Sequence, residues 1–221
     1  MGVLSGNASI AQRLMQNPAL AFAYERAWRP FNSWVLMGFD LGHVRHEKQI
    51  TIETLRLQPG DLVVDVGCGP GQFTVQFAEA VAPTGLAVGV DFSVAMLERA
   101  RTANAHPRAA YLRGDAHHLP FPDGSVDAIN CYAALYLIPD PWRVVEEMIR
   151  VLKPGGRIAI MASVAATKPL VRKVQNLALE PAGLHMFDRY EFVGRLRKAG
   201  FTEVELEVHG LAQYVAATAP V

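Results

Sequence analysis

The segment Asp65-Val66-Gly67-Cys68-Gly69-Pro70-Gly71 carries the clearest chemical signal in this chain. Its glycines stand at every second position, and a glycine lets the backbone approach a ligand that a Cβ atom would hold away. Where such a loop opens a helix, the free N–H groups of the first turn face an anion. Asp91 ends the next apolar run, a position where a carboxylate accepts hydrogen bonds from ribose hydroxyls. Together these features predict a site for a nucleoside that carries a carboxylate or a phosphate.

Two classes of nucleoside cofactor compete for a glycine loop of this kind. A dinucleotide site needs Gly-x-Gly-x-x-Gly/Ala, in which the last small residue permits close helix packing. Counted from Gly67 that position holds Gln72, and counted from Gly69 it holds Thr74. The chain also lacks a Tyr-x-x-x-Lys pair after the predicted fourth strand. A NAD(P)-binding oxidoreductase is therefore the weaker alternative, and a nucleoside-binding module without catalysis stays open.

Apolar runs and turn residues predict the elements that hold this loop in place. Leu62–Val66 predicts a buried strand before the loop, and apolar residues at helical spacing from Phe73 to Val81 predict a helix after it. Further strands are predicted at Leu86–Val90, Ala110–Leu112, Val126–Cys131 and Arg157–Met161. Further helices are predicted after Ser93, from Pro141 to Leu152 and around Tyr190–Ala199. This alternation is typical of a doubly wound, mostly parallel α/β sheet with helices on both faces.

The end of the chain departs from this alternation of strands and helices. Glu203–Val208 alternates strictly between acidic and apolar residues, and Leu211–Thr218 is another strand-like run. The tight connection His209-Gly210 between them predicts an antiparallel C-terminal hairpin at one edge of the sheet.

Composition excludes several classes of protein. Lys and Arg number 21, and Asp and Glu number 21, among 221 residues, so the chain lacks the basic excess that attracts nucleic acid. Cys68 and Cys131 form neither a disulfide framework nor a Cys-x-x-Cys metal site. No run of about eighteen apolar residues is present, and Met1–Ile10 lacks the pattern of a signal peptide. We expect a cytoplasmic protein without nucleic acid, without a metal and without stable membrane insertion.

The glycine loop Asp65–Gly71 resembles motif I of the class I S-adenosylmethionine-dependent methyltransferases. Further segments are similar to that family in order and spacing: Gly89–Leu97, its acidic loop; Gly114–Asp127, between strands three and four; and Arg150–Gly156, the turn before strand five. The resemblance covers about residues 60–160. It implies a Rossmann-like sheet of seven strands, a methyltransferase activity and S-adenosylmethionine as the cofactor.

By that resemblance, the cofactor-binding residues lie on loops at the strand ends. The methionine part of the cofactor would be held by Asp65, Gly67, Cys68, Gly69 and Gly71, with Asp65 on its amino group. Asp91 would bind both ribose hydroxyls, and Phe92 and Met96 would flank the adenine. Asp115 and Ala116 would contact the exocyclic nitrogen region of the adenine, and Cys131 would lie with Tyr132 beside the sulfonium.

Several of these side chains also have a purely structural interpretation. Cys68 is expected to be a small space-filling residue rather than a nucleophile. The adjacent pair His117-His118 is expected to be solvated and without an acidic partner, because neighbouring side chains rarely converge on one metal ion. Met96 fits packing and adenine binding about equally well.

The segment before the glycine-loop domain is rich in aromatic residues: Phe22, Tyr24, Trp28, Phe31, Trp34 and Phe39. We therefore divide the chain into a helical cap at residues 1–43 and a methyltransferase domain at residues 44–221. Pro30 would break a helix through the cap, so the segment could pack on the sheet or close over an acceptor pocket. Arg45 lies in a stretch faintly similar to ubiquinone/menaquinone-biosynthesis C-methyltransferases, which would place it near the cofactor carboxylate.

The methyl acceptor is expected to be a largely apolar small molecule that is methylated on oxygen or carbon. The neutral charge favours such an acceptor, as does a candidate wall of its pocket, the apolar stripe of Leu170, Val171, Val174, Leu177 and Ala178. Asn130-Cys131-Tyr132-Ala133 replaces the Asn-Pro-Pro-Tyr element that marks transfer to amide or adenine nitrogen in the family. His185, in an apolar setting, is a weak candidate for a general base.

Overall fold

The computed structural model describes residues 50–179 and 184–221. The predicted cap at residues 1–43 and Arg45 therefore lie outside the described residues. In the part of the chain that is described, no helix is long and apolar enough to cross a membrane.

A single seven-stranded sheet forms the centre of the domain, in the order β3-β2-β1-β4-β5-β7-β6. The strands are β1 (Leu62–Val66), β2 (Leu86–Asp91), β3 (Ala109–Arg113), β4 (Val126–Tyr132), β5 (Leu152–Ser163), β6 (Thr202–His209) and β7 (Ala212–Thr218). The first five pair in parallel, and β7 is antiparallel to both β5 and β6. The predicted mostly parallel sheet with an antiparallel C-terminal hairpin is confirmed, with β7 inserted between β5 and the edge strand β6.

Helices connect the strands and cover both faces of the sheet. They are α1 (Gln72–Val81), α2 (Val94–Ala103), α3 (Pro141–Val151), α4 (Pro169–Leu179) and α5 (Glu191–Lys198), with a 3-10 turn at Leu135–Leu137. Ser93 caps α2 by accepting a hydrogen bond from the Met96 N–H at 3.4 Å. Pro141 stands at the start of α3, where its missing N–H costs nothing.

The apolar core lies in two layers, one on each face of the sheet. α3 and α5 pack on one layer, which contains the fully buried Met148 and Leu196. α1 and the helical residues 50–55 pack on the other, around Phe77 and Leu55. The alternation of neighbouring β1 residues explains this division, because Val63 belongs to the second layer and Val64 to the first.

Strand β5 begins earlier than the sequence predicts. Val126 pairs with Leu152, whereas Ala128 pairs with Arg157, so residues 153–156 are accommodated in a register shift between them. The turn-forming residues Lys153-Pro154-Gly155-Gly156 therefore lie inside β5 rather than before it.

Arg157 ties the middle of β5 to the segment before β1. Its side chain is 7% exposed and donates to the Thr54 carbonyl at 2.7 and 3.0 Å. It also donates to Thr218 Oγ1 at 2.9 Å and lies 3.4 Å from Glu203 Oε2. One buried cation thus joins three distant parts of the chain.

Replacing Arg157 by Met should lower the free energy of unfolding by about 2–3 kcal/mol, because charge-assisted hydrogen bonds are lost and a buried carbonyl loses its donors. Urea unfolding followed by circular dichroism measures the change. Arg56→Met is the matched control, since Arg56 pairs with the same Glu203 but is 53% exposed and should cost less than about 1 kcal/mol. Equal losses in the two variants would contradict the role given to Arg157.

Candidate functional site

The glycine loop lies at the position where the order of the strands reverses. β1 is flanked by β2 on one side and by β4 on the other, and ligands of open α/β sheets bind outside the carboxyl ends of the strands at such a point. The Gly67 N–H and the Cys68 N–H both donate to the Val90 carbonyl, at 2.8 and 3.2 Å. The loop is thereby fixed to the end of β2 before α1 begins.

Each glycine of the loop has a positive φ, but the space around the three differs. The φ angles are 70° at Gly67, 54° at Gly69 and 77° at Gly71. A Cβ atom at Gly67 would lie 2.4 Å from the Ala134 Cβ, and one at Gly71 would lie 2.6 Å from the Tyr111 ring. A Cβ atom at Gly69 would meet nothing within 4 Å. The loop therefore packs on protein at both ends and is open to a ligand at its middle.

Asp91 is hydrogen-bonded to this open part of the loop. Its Oδ2 accepts from the Gly69 N–H at 2.8 Å, and its Oδ1 accepts from the Ser93 N–H at 2.8 Å. Burial raises the pKa of Asp91 above its usual value, although these backbone hydrogen bonds oppose the shift. Each oxygen keeps a further lone pair, so the carboxylate can still accept from a ligand hydroxyl.

Asp65 lies beneath the loop and is 3% exposed. Its Oδ2 accepts from Thr74 Oγ1 at 2.6 Å, and its Oδ1 accepts from Asn130 Nδ2 at 2.8 Å. These bonds join β1, α1 and β4 at the base of the site. Sequence reasoning missed Thr74 and Asn130 as site residues, although an amide among the apolar residues of 128–131 is a usable signal because it requires a buried partner.

The two cysteines are buried, and their thiols resist ionisation. Burial, together with the negative charges of Asp65 and Asp91, raises the pKa of the Cys68 thiol well above its usual value. Burial and Asp65 shift the pKa of Cys131 in the same direction. A Cβ atom at Gly89 would lie 2.8 Å from Cys68 Sγ, so Cys68 fills the space over that glycine. The Cys131 side chain is fully buried in the core.

The two residues predicted to flank an adenine differ in exposure. Phe92 is 41% exposed and Met96 is 4% exposed. The guanidinium carbon of Arg113 lies 5.8 Å from the centroid of the Phe92 ring. Phe92 can therefore present its ring to a ligand, whereas Met96 packs inside the domain.

The prediction that His117 is solvated and without an acidic partner is wrong. His117 Nδ1 lies 2.6 Å from Asp115 Oδ1, and Nε2 lies 2.7 Å from the Pro139 carbonyl oxygen. The His117 side chain is 20% exposed. Burial raises the pKa of Asp115, but hydrogen bonds from His117 outweigh it, and the net pKa lies below the usual value. The histidine thus fixes the loop after β3, where Asp115 and Ala116 are predicted to contact a ligand.

His118 is more exposed than its neighbour. Its side chain is 69% exposed, and its Nε2 lies 3.0 Å from Arg143 Nη2. Among the described residues, no group of three or more His, Cys, Asp or Glu side chains could hold a metal ion.

His185 is exposed at the carboxyl edge of the sheet. Its N–H donates to the Tyr136 carbonyl at 2.8 Å, and its own carbonyl accepts from Ser163 Oγ at 2.6 Å. Its ring centroid lies 4.5 Å from that of Phe187. The backbone of His185 is therefore anchored to the ends of β4 and β5, on the edge where the glycine loop opens.

A further link joins the glycine loop to α2 and β3. Asn104 Nδ2 donates to the Pro70 carbonyl at 2.7 Å, and the Tyr111 hydroxyl donates to the Asn104 carbonyl at 2.7 Å. Burial raises the pKa of Tyr111 to about 12, so the hydroxyl remains a donor. The loop is thus held from the side of β3 as well as from β2.

Comparison with known proteins agrees with this geometry. Residues 64–160 match the family model described as a methyltransferase domain. A demethylmenaquinone methyltransferase from Listeria welshimeri is 37% identical over 138 residues, which cover 61% of this chain and 58% of that protein. The match therefore spans less than two thirds of the relative's own length.

Solved structures share the fold. A SAM-dependent methyltransferase from Aquifex aeolicus is 20% identical with a TM-score of 0.65, covering 91% of this chain and 98% of that chain. Geranyl diphosphate C-methyltransferase from Streptomyces coelicolor, solved with S-adenosyl-L-homocysteine, is 17% identical with a TM-score of 0.65, covering 80% and 79%. These structures show that the fold is shared, and the family match identifies residues 64–160 as a methyltransferase domain.

Proposed function

We propose that this chain transfers a methyl group from S-adenosylmethionine to an oxygen or carbon atom of an apolar small-molecule acceptor. The observation that carries the proposal is the open middle of the glycine loop at Gly69, bonded directly to Asp91. A ligand lying over Gly69 meets a backbone without a side chain and, beside it, a carboxylate, which suits an amino acid joined to a ribose.

The proposed roles follow from the placement of each group. Gly67–Gly71 supply the backbone surface for the methionine part, and Asp91 accepts from the ribose hydroxyls. Phe92 covers one face of the adenine, while Asp115 and Ala116 contact its edge. Asp65 is already engaged by Thr74 and Asn130, so we assign it to fixing the loop and to attracting the positively charged amino group.

When bound, the cofactor supplies a methyl group already activated on a positively charged sulfur. The protein then needs to exclude water and align the acceptor, and positioning alone can supply roughly 7–11 kcal/mol of a barrier. A general base is required only where the acceptor must lose a proton, as a phenol or an enol-like carbon must. His185 is our candidate for that base, since it lies at the same edge of the sheet.

The names of two similar proteins support a small-molecule acceptor. The Listeria welshimeri relative is named for demethylmenaquinone, and the Streptomyces coelicolor structure for geranyl diphosphate and C-methylation. A NAD(P) oxidoreductase remains the alternative, and titration with NADH tests it directly.

Replacing Asp91 by Asn should weaken S-adenosylmethionine binding about tenfold or more, because hydrogen bonds to a charged acceptor are each worth about 1.5–3 kcal/mol. Wild-type affinity should also fall at acid pH. The raised pKa of Asp91 means that the carboxylate gains a proton, and so loses an acceptor, at a higher pH than an ordinary aspartate. Isothermal titration between neutral and acid pH measures both effects.

Glu79→Gln removes the same charge from an exposed position on α1 and serves as the control, with no expected change in affinity. The Asp91→Asn variant should also lose the part of the pH dependence that comes from this carboxylate. An Asp91→Asn variant that binds as tightly as wild type would contradict the role of Asp91, and NADH binding without S-adenosylmethionine binding would overturn the proposed function.

A pair of alanine variants separates ligand contact from packing in the glycine loop. Both positions have a positive φ, which costs about 1–2 kcal/mol for alanine. Gly69→Ala adds only that cost to folding but should strongly weaken cofactor binding, since its Cβ occupies the open side. Gly71→Ala should lose more stability, because its Cβ overlaps the Tyr111 ring. Thermal unfolding measures the stability of both variants, and isothermal titration measures their affinity for the cofactor. Wild-type affinity in Gly69→Ala would show that the ligand does not lie over Gly69.

Turnover is tested by release of S-adenosylhomocysteine in a screen of phenols, quinols and other apolar acceptors. With an acceptor that must lose a proton, His185→Asn should lower kcat by about a hundredfold or more and leave the dissociation constant of S-adenosylmethionine unchanged. Asn replaces an exposed ring, so folding should be retained. A kcat equal to that of the wild type would show that His185 is not the general base.

A further inference from the structure

Helix α4 is amphipathic, but its apolar side faces solvent instead of the core. Four of its apolar side chains are exposed: Leu170 is 76% exposed, Val171 52%, Val174 61% and Leu177 78%. A surface helix of a globular protein normally turns such a stripe toward the core. We call these four side chains the α4 apolar face.

The polar side of α4 is the side attached to the domain. Gln175 Oε1 accepts from the Ala166 N–H at 2.8 Å, and Gln175 Nε2 donates to the Val164 carbonyl at 3.3 Å. Arg172 forms an ion pair with Asp188 at 2.7 Å. Specific polar contacts therefore hold the helix with its apolar face outward.

Basic residues border the α4 apolar face. On a helix of 3.6 residues per turn, Lys173 projects beside one margin of the face and Lys168, just before the helix, beside the other. Both lysines are exposed, and Pro169–Leu179 contains no Asp or Glu. An apolar stripe between cationic margins is the pattern of a helix that lies in the interface of a membrane.

The geometry points to the α4 apolar face as a docking surface for a bilayer that contains anionic lipids. The four apolar side chains would enter the boundary between headgroups and acyl chains, while Lys168 and Lys173 would meet the lipid phosphates and carboxylates. Charge complementarity selects this occupant, because the face itself offers cations and no anion. The docking is reversible and interfacial, and it is independent of the reaction proposed above.

The position of α4 determines which edge of the domain would face the bilayer. Gln175 attaches the helix to residues immediately after the carboxyl end of β5. That end of the parallel strands is also where the glycine loop opens. A bilayer at α4 would therefore lie at the edge of the domain that carries the cofactor site.

The full chain should co-sediment with phosphatidylcholine vesicles that contain phosphatidylserine and much less with pure phosphatidylcholine vesicles, and added salt should weaken binding. Each basic side chain near an anionic surface contributes about 1 kcal/mol. The double variant Lys168→Gln/Lys173→Gln should therefore bind about 25-fold more weakly. Leu170→Ser/Leu177→Ser should bind at least about tenfold more weakly, because it removes buried apolar area.

Two controls match these variants in chemistry. Arg197→Gln/Lys198→Gln removes two exposed charges from α5, and Leu112→Ser removes an exposed apolar side chain from β3; neither should change vesicle binding. S-adenosylmethionine titration of every variant should match wild type, so loss of docking and loss of the cofactor site are read separately.

Several outcomes would overturn the proposal. The first is a wild-type protein that does not sediment with anionic vesicles, and the second is wild-type binding by the α4 variants. A fall of several degrees in the melting temperature of Leu170→Ser/Leu177→Ser, without vesicle binding by wild type, would show that another segment of this chain covers the face. A wild-type dimer that the same variant converts to monomers would show that a second copy covers it.

Discussion

The hydrogen bond from the Gly69 N–H to Asp91 Oδ2 is the contact on which the organisation of the site depends. A loop of left-handed glycines cannot use the regular bonding of a helix or a strand, so its N–H groups need individual acceptors. Asp91 supplies one, and the Val90 carbonyl accepts from two more N–H groups. The end of β2 therefore shapes the loop after β1, and the parallel pairing of these strands is what brings the two together.

Negative charge beneath and beside the loop gives the site its electrostatic character. Burial is the largest cause of the raised pKa of Cys68, Cys131 and Tyr111, and the negative charge of Asp65 adds to each shift, as that of Asp91 does for both cysteines. A field that disfavours thiolates and phenolates favours cations in the same place. The amino group and the sulfonium of the proposed cofactor are cations, so the negative charge of Asp65 and Asp91 suits the ligand.

Local sequence patterns predicted most of the fold but only part of the site. Leu62–Val66 is an apolar run, and the terminal hairpin contains a segment that alternates with a period of two. Both patterns involve only residues that are neighbours along the chain. Asn130 contacts Asp65 from a strand 65 residues away, and a contact between such distant residues produces no periodic pattern in the sequence. The prediction for His117 overlooked Asp115, which is only two residues away, whereas the Pro139 carbonyl that contacts its second nitrogen comes from a distant turn. The register shift at Lys153–Gly156 likewise depends on the pairing of β4 with β5.

The link from Pro70 through Asn104 to the Tyr111 hydroxyl bears on the rate of ligand association. A loop that must be ordered by its ligand spends binding free energy on lost conformational entropy. Here the order of the loop is set during folding, by contacts on the side away from the ligand. A loop already ordered in this way can bind the proposed cofactor without first rearranging its glycines, which favours faster association.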